Sequence, residues 1–303
     1  MTAVGHAVVE EAVGARAARR PRRPRRIALY AFLTVMAVTW LFPLLWAVYT
    51  ALRPYADTLK NGYISWPTSL NLDNFFGAWT KGQFPMFYLN SLIIAVPAVI
   101  VTLFVASMVA FAVTRFSWRF NLVALMIFTA GNLLPAQVII IPLYWLYQFL
   151  PFPPNDNGKL LYDQFLGVIL INIVFQTGFC VFVLSNYMKT LSRELTEAAL
   201  ADGASVWRIY RSVILPLCRP ALAALATLEF TFVYNDFFWA LLLMNHGDKR
   251  PITSALNNLQ GQFFTNTNLL AAGALLAAIP TILVYLVLQK QFIRGLTLGS
   301  SKG

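Results

Sequence analysis

Residues 89–113 read LNSLIIAVPAVIVTLFVASMVAFAV, a run of 25 residues without a formal charge. At the helical rise of about 1.5 Å per residue this run exceeds the roughly 30 Å of a hydrocarbon core, which takes about 20 apolar residues to cross. Five more stretches pass the same length test: 27–52, 122–149, 165–188, 221–244 and 269–289. Across the chain 58% of residues are hydrophobic and 12% are charged, a mixture that excludes an ordinary soluble domain of 303 residues. The fold class is therefore all-α integral membrane, with six transmembrane helices.

Only Glu229 and Asp236 place formal charge inside any of the six runs, so the remaining charges can be assigned loop by loop. With the N-terminus cytoplasmic, the inward segments hold seven, two, five and three Lys or Arg and the outward loops three, one and two. That division, 17 against 6, sets an N-in and C-in orientation. It also explains the net charge of +11, which otherwise invites a nucleic-acid partner. The seven arginines of 16–26 abut the first span without interleaved aromatics, so they read as a topogenic segment at the lipid surface. Residues 1–26 carry no usable periodicity and read as a disordered basic cytoplasmic tail. The six-span domain is then 27–289 with a polar loop at 189–220, and 290–303 is a second cytoplasmic tail. The first apolar run is about twice a normal signal-peptide core and lacks a small-x-small exit, so it is expected to remain as an anchor.

Chemistry-bearing patterns are sparse. Cys180 falls within the fourth span and Cys218 at the inner face, neither in a CxxC pair. His6 and His246 fall in different compartments, which argues against a metal site built on them. Gly158-Lys159 stands without the rest of a phosphate loop, so the chain has no ATP-binding motif of that kind. Nor do a Ser-His-Asp, Cys-His or paired-carboxylate set share one side of the membrane, and the chain is expected to be neither an enzyme nor a cofactor holder.

The loop 189–220 keeps helical spacing despite its polarity. Ser192 can cap a first helix, with Glu194 in its positive first turn, and Ala198, Ala199 and Ala201 keep that helix thin. Gly203 supplies the left-handed conformation that ends it. A second helix can start at Ser205, with Val206, Ile209, Tyr210 and Val213 on one face, until Pro216 stops the pattern. On helical spacing alone, a plain hairpin joining spans four and five fits equally well.

The longer string changes that balance. Glu194-Leu-Thr-Glu197-Ala198-Ala199-Leu-Ala-Asp202-Gly203-Ala-Ser205, followed by Val213 and Leu215-Pro216, resembles the cytoplasmic signature loop of ABC importer permeases. Val213 stands where that pattern has isoleucine, and Leu191-Ser192 where it usually has proline. The tail from Leu288, Asn90-Ser91, Ile141-Pro142-Leu143-Tyr144 and Tyr234-Asn235-Asp236-Phe237 resemble segments of the maltose-type carbohydrate permeases. The resemblance runs from about Trp66 to the end, and the outer loop 151–163 departs from it. It implies a type I ABC importer permease fold, a second permease subunit, two ATP-binding subunits that hold ATP and Mg, and an outer sugar-binding protein. It further implies ATPase coupling through Glu197, Ala198, Ala199, Asp202, Gly203, Arg208, Leu215 and Pro216, and an oligosaccharide as the cargo.

Inside the bilayer, Glu229 and Asp236 are seven residues apart and share one face if span five is a continuous helix. A carboxylate at depth is costly unless paired, hydrated or protonated. With Asn235, with Asn172 and Gln176 on span four, and with Asn132 and Gln137 around Pro135 on span three, they are candidates for a sugar pathway or for interhelical hydrogen bonds. A proton-coupled secondary transporter using Glu229 and Asp236 is the competing class, and the same permease fold carrying a non-sugar solute is a third reading.

Overall fold

The computed structural model describes residues 23–117, 119–131, 135–150, 161–260 and 265–297. Residues 1–22 of the tail 1–26, Asn132, and 151–160 of the outer loop 151–163 lie outside them. Two compact units are present, 1–49 and 50–303. In the first, the helix Arg23–Leu52 begins, with Phe42 stacked on Trp46 at a centroid distance of 5.9 Å and Tyr49 tilted against Trp46 at 5.3 Å.

In the second unit the long helices are Phe84–Arg115, Phe165–Thr190 and Thr267–Thr297. Together with the first helix, four in the described residues are long and apolar enough to cross a membrane, or up to six if two sharply bent pairs each count as one span. Helix 84–115 packs most extensively on 165–190, and helix Arg219–Tyr234 packs on both 267–297 and 84–115. Small residues allow the close approach: Ala95, Ala98, Ala106 and Ala110 of helix 84–115 are all fully buried.

Two expected spans are interrupted. Span three is divided into Asn121–Gly131 and Ala136–Phe149, set at 89° to each other, with Pro135 starting the second limb. Span five is not one helix over 221–244 but Arg219–Tyr234 followed by Phe238–Leu243. Side chains compete with the backbone at this break: Asn235 Nδ2 donates to the Thr231 carbonyl at 2.8 Å. Asp236 Oδ1 accepts the Phe238 and Trp239 amides at 3.1 and 3.3 Å, and so serves the free N–H groups of the second limb.

Polar clasps fasten the ends of the long helices. The Asn74 amide donates to the carbonyls of Ala51 and Arg53, both at 2.8 Å, and the Asn268 amide to those of Thr50 and Arg53 at 3.0 and 2.9 Å. These are carbonyls that a helix end leaves without intrahelical partners. Beside them Arg53, 1% exposed, pairs with Asp57 at 2.6 Å and reaches the Gly62 carbonyl and Ser65 Oγ. The Arg53 guanidinium holds the Asp57 carboxyl well below the usual carboxylate range.

Candidate functional site

The segment from Met188 to Arg219 is built from one end of the long helices outward. Arg115, in the last turn of helix 84–115, donates from Nη2 to the Met188 carbonyl at 2.8 Å and from Nη1 to those of Leu191 and Ser192 at 3.3 Å each. A cation is favoured at a helix C-terminus, where carbonyls accumulate partial negative charge. The chain then turns, and Ser192 Oγ accepts the Glu194 amide at 3.2 Å as the helix Glu194–Ala201 begins. Glu194 and Glu197 occupy its first turn.

Gly203 ends that helix with φ +76°. Its amide bonds to the Leu200 carbonyl and that of Ala204 to the Ala199 carbonyl, both at 3.0 Å, which is the double closure of a Schellman turn. Ser205 then caps the next helix by accepting the Arg208 amide at 3.4 Å. Both boundaries fall where the sequence places them. The packing face differs from the expected one. Residues Tyr210–Ile214 form a π-helical turn, and its extra residue rotates the register so that Ile214, not Val213, is fully buried. Val206 lies half exposed, and the buried row becomes Ile209, Tyr210, Ile214 and Cys218. Pro216 does not stop the helix either: the chain runs through it to Leu217, and a 74° bend comes before Arg219.

The buried row packs with Ala106, Ala110 and Phe111 of one long helix and with Cys180, Val181, Leu184 and Met188 of the other. On the opposite side Leu195, Leu200, Val206 and Trp207 are between 43% and 51% exposed. Glu197, Ala198, Asp202, Gly203 and Arg208 are also exposed, while Ala199, Leu215 and Pro216 are half-buried. Val206, Trp207 and Tyr210 line an apolar groove of about 420 Å³ together with Met108, Phe111, Ala112 and Phe116. An exposed apolar face of this kind, bordered by charged residues, is the form of a protein-docking surface.

Residues 102–298 match the sequence profile of the family described as binding-protein-dependent transport system inner membrane component. The chain belongs to that family. It is 32% identical over 279 residues to the osmoprotective compounds uptake permease protein GgtD of Synechocystis, covering 90% of each chain. It is 31% identical over 281 residues to the arabinooligosaccharides transport system permease protein AraQ of Halalkalibacterium halodurans, covering 90% of this chain and 94% of that one. One chain of a bacterial ABC transporter involved in the import of the acidic polysaccharide alginate superposes with a TM-score of 0.76 at 24% identity, over 90% of this chain and 99% of the other. The protein is thus a multi-pass permease subunit of an ABC-type importer, not itself an enzyme, and ATP is handled by an ATPase partner.

The intramembrane candidates of the permease do not form one cluster. Glu229 is fully buried and accepts from Cys180 Sγ at 3.2 Å, while its Oε2 has no hydrogen-bond partner among the described residues. Asp236 lies in the break of span five and not on the Glu229 helix, which corrects the shared acidic stripe. The buried Asn172 amide donates to the Val168 carbonyl at 2.9 Å and lies beside the Asp236 carboxylate. Gln176 is half-buried, Asn235 and Gln137 are exposed, and Asn132 lies outside the described residues. Sequence reasoning missed Arg115 and Ser107, although Ser107, Phe111 and Arg115 recur at every fourth position and so share a face of one helix.

Proposed function

We propose that this chain is one half of the translocation path of a sugar importer, paired with a second permease, two ATP-binding subunits and an outer sugar-binding protein. The observation that carries the reading is the two-sided element 194–216. One face is buried in the permease's own core, and the other leaves Leu195, Leu200, Val206 and Trp207 open. In this reading that open face, with Glu197, Ala198 and Arg208 around it, seats on an ATPase subunit, and closure of the ATPase pair rocks the spans. The count of 17 against 6 basic residues supports six spans with both termini inside. The names of relatives that carry arabinooligosaccharides support a sugar, and an oligosaccharide in particular.

Glu229 and Asp236 serve structure in this reading: one is bonded to Cys180 and the other caps a half-helix. The exposed Asn235 and Gln137 are the better candidates for contact with cargo. The test is ATP hydrolysis by the purified complex, with its binding protein, across a panel of mono- and oligosaccharides. Stimulation by a subset of sugars, and only with binding protein present, is expected. Equal hydrolysis with every sugar, or with none, overturns the carbohydrate assignment.

A further inference from the structure

Helix 84–115 is held at both of its ends by side-chain bonds to segments far away in sequence. Near its C-terminal end the stripe Ser107, Phe111, Arg115 grips the element 188–216 at two places. Arg115 takes the carbonyls of Met188, Leu191 and Ser192 at its start. Further along, Tyr210 is 3% exposed, with its ring 5.4 Å from that of Phe111 and its hydroxyl 2.7 Å from Ser107 Oγ. Ser107 Oγ also lies 2.9 Å from the Phe104 carbonyl, and with its proton directed there it accepts from the Tyr210 phenol. The π-helical turn begins at Tyr210.

At the other end, Asn90 Nδ2 donates to the carbonyls of Asp248 and Arg250 at 2.6 and 3.0 Å, and Ser91 Oγ accepts the Ile252 amide at 2.8 Å. Asn90 is 6% exposed and Ser91 2%. Between the two grips the helix runs on through Pro97. At about 1.5 Å per residue, its 32 residues span on the order of 48 Å.

We infer that helix 84–115 is the connecting rod of the permease: it takes the displacement of the ATPase-facing element at Tyr210 and Arg115 and delivers it to the loop 244–252 through Asn90 and Ser91. Packed interiors transmit displacement instead of absorbing it, and buried hydrogen bonds at the two ends fix which segments move together. Tyr210, Arg115, Asn90 and Ser91 are thus positioning residues for transport. The inference rests on the coupling reading above, and it adds the route by which an inner stroke reaches the opposite face.

Gly247 gives a place to watch that loop. It is exposed, a Cβ there meets nothing within 4 Å, and both native cysteines are buried. In the full complex with its ATPase and binding protein, Gly247→Cys is labelled with a membrane-impermeant maleimide, without nucleotide and after trapping with ATP and vanadate. The labelling rate is expected to differ between the two states. Tyr210→Phe, which keeps the ring and removes only the donor, should shrink that ratio by about fivefold, the scale of one buried hydrogen bond. Asn90→Ala should do the same from the other end, and the double variant should lose no more than either single one, because the two contacts act in series. ATP hydrolysis and co-purification of all subunits should persist in Asn90→Ala, which lies at the end of the helix away from the element 194–216. A ratio unchanged in Tyr210→Phe or Asn90→Ala, additive losses in the double variant, or a loop insensitive to trapping in a complex that hydrolyses ATP normally, overturns the rod. A parent complex in which the chain recruits no ATPase overturns the coupling reading instead.

Discussion

Gly203 is the residue whose replacement speaks most directly to the element 194–216. It sits at φ +76°, and a Cβ built there meets nothing within 4 Å, so the cost of a side chain is one of backbone conformation alone. A left-handed residue other than glycine costs roughly 1–2 kcal/mol, and a β-branched one more. Gly203→Val therefore spends at least that amount against the two closing bonds, from Gly203 to Leu200 and from Ala204 to Ala199. By the factor of ten per 1.4 kcal/mol, the frayed form of helix 194–201 becomes about five- to thirtyfold more populated. Hydrogen exchange at the Ala204 amide in the assembled complex should speed up by that factor, and sugar uptake per ATP hydrolysed should fall. Gly203→Asn should recover most of both, since asparagine tolerates the left-handed region. Equal exchange and uptake in Gly203→Val and the parent would refute the role assigned to this turn, as would an Asn variant no better than Val.

Three further outcomes follow from the geometry. Asp236→Ala removes the acceptor of the Phe238 and Trp239 amides and should lower thermal stability by about 0.5–2 kcal/mol, whereas Asp236→Asn should keep most of the cap; a scanning calorimetry trace distinguishes them. Gly167→Ala brings a Cβ to 2.3 Å from the Leu161 carbonyl oxygen, an atom of the backbone, so this variant should be recovered from membranes in markedly lower folded yield than Gly131→Ala, whose Cβ meets nothing. Because Arg53 depresses Asp57, the pair's contribution is present above the ordinary carboxylate value of about 3.9 and is lost only as pH falls through the lower folded value. The melting temperature of the parent should thus show no step from this pair between pH 7 and pH 4, and Arg53→Met should melt lower throughout.

Much of this arrangement is legible from the residues. The long helices follow from uncharged apolar runs, and the Gly203 and Ser205 boundaries follow from local chemistry that needs no tertiary context. Where tertiary packing decides, the reading fails. The run 221–244 is apolar enough to suggest one helix, but the Asn235 side chain takes the Thr231 carbonyl and that of Asp236 the Phe238 and Trp239 amides, where the chain divides. A 3.6-residue period points to Val213, and only the π-helical turn, which begins at Tyr210, brings Ile214 inward. The short helices Tyr55–Asn61 and Ile252–Asn258 carry too few turns to show a stripe. The Arg53 clasp joins residues from Thr50 to Asn268, a pairing that no local pattern announces.

The element 194–216 is held to engage an ATP-hydrolysing neighbour on the cytoplasmic side, and crosslinking from Ala198→Cys in intact cells tests this most directly. Ala198 is exposed and the native Cys180 and Cys218 are buried, so the introduced thiol should dominate the reaction. A covalent adduct with the ATPase subunit, formed by a permeant cross-linker and blocked when that subunit is absent, is the expected result. Labelling of the same thiol from outside by a membrane-impermeant reagent, or no adduct in cells that carry the whole importer, would contradict it.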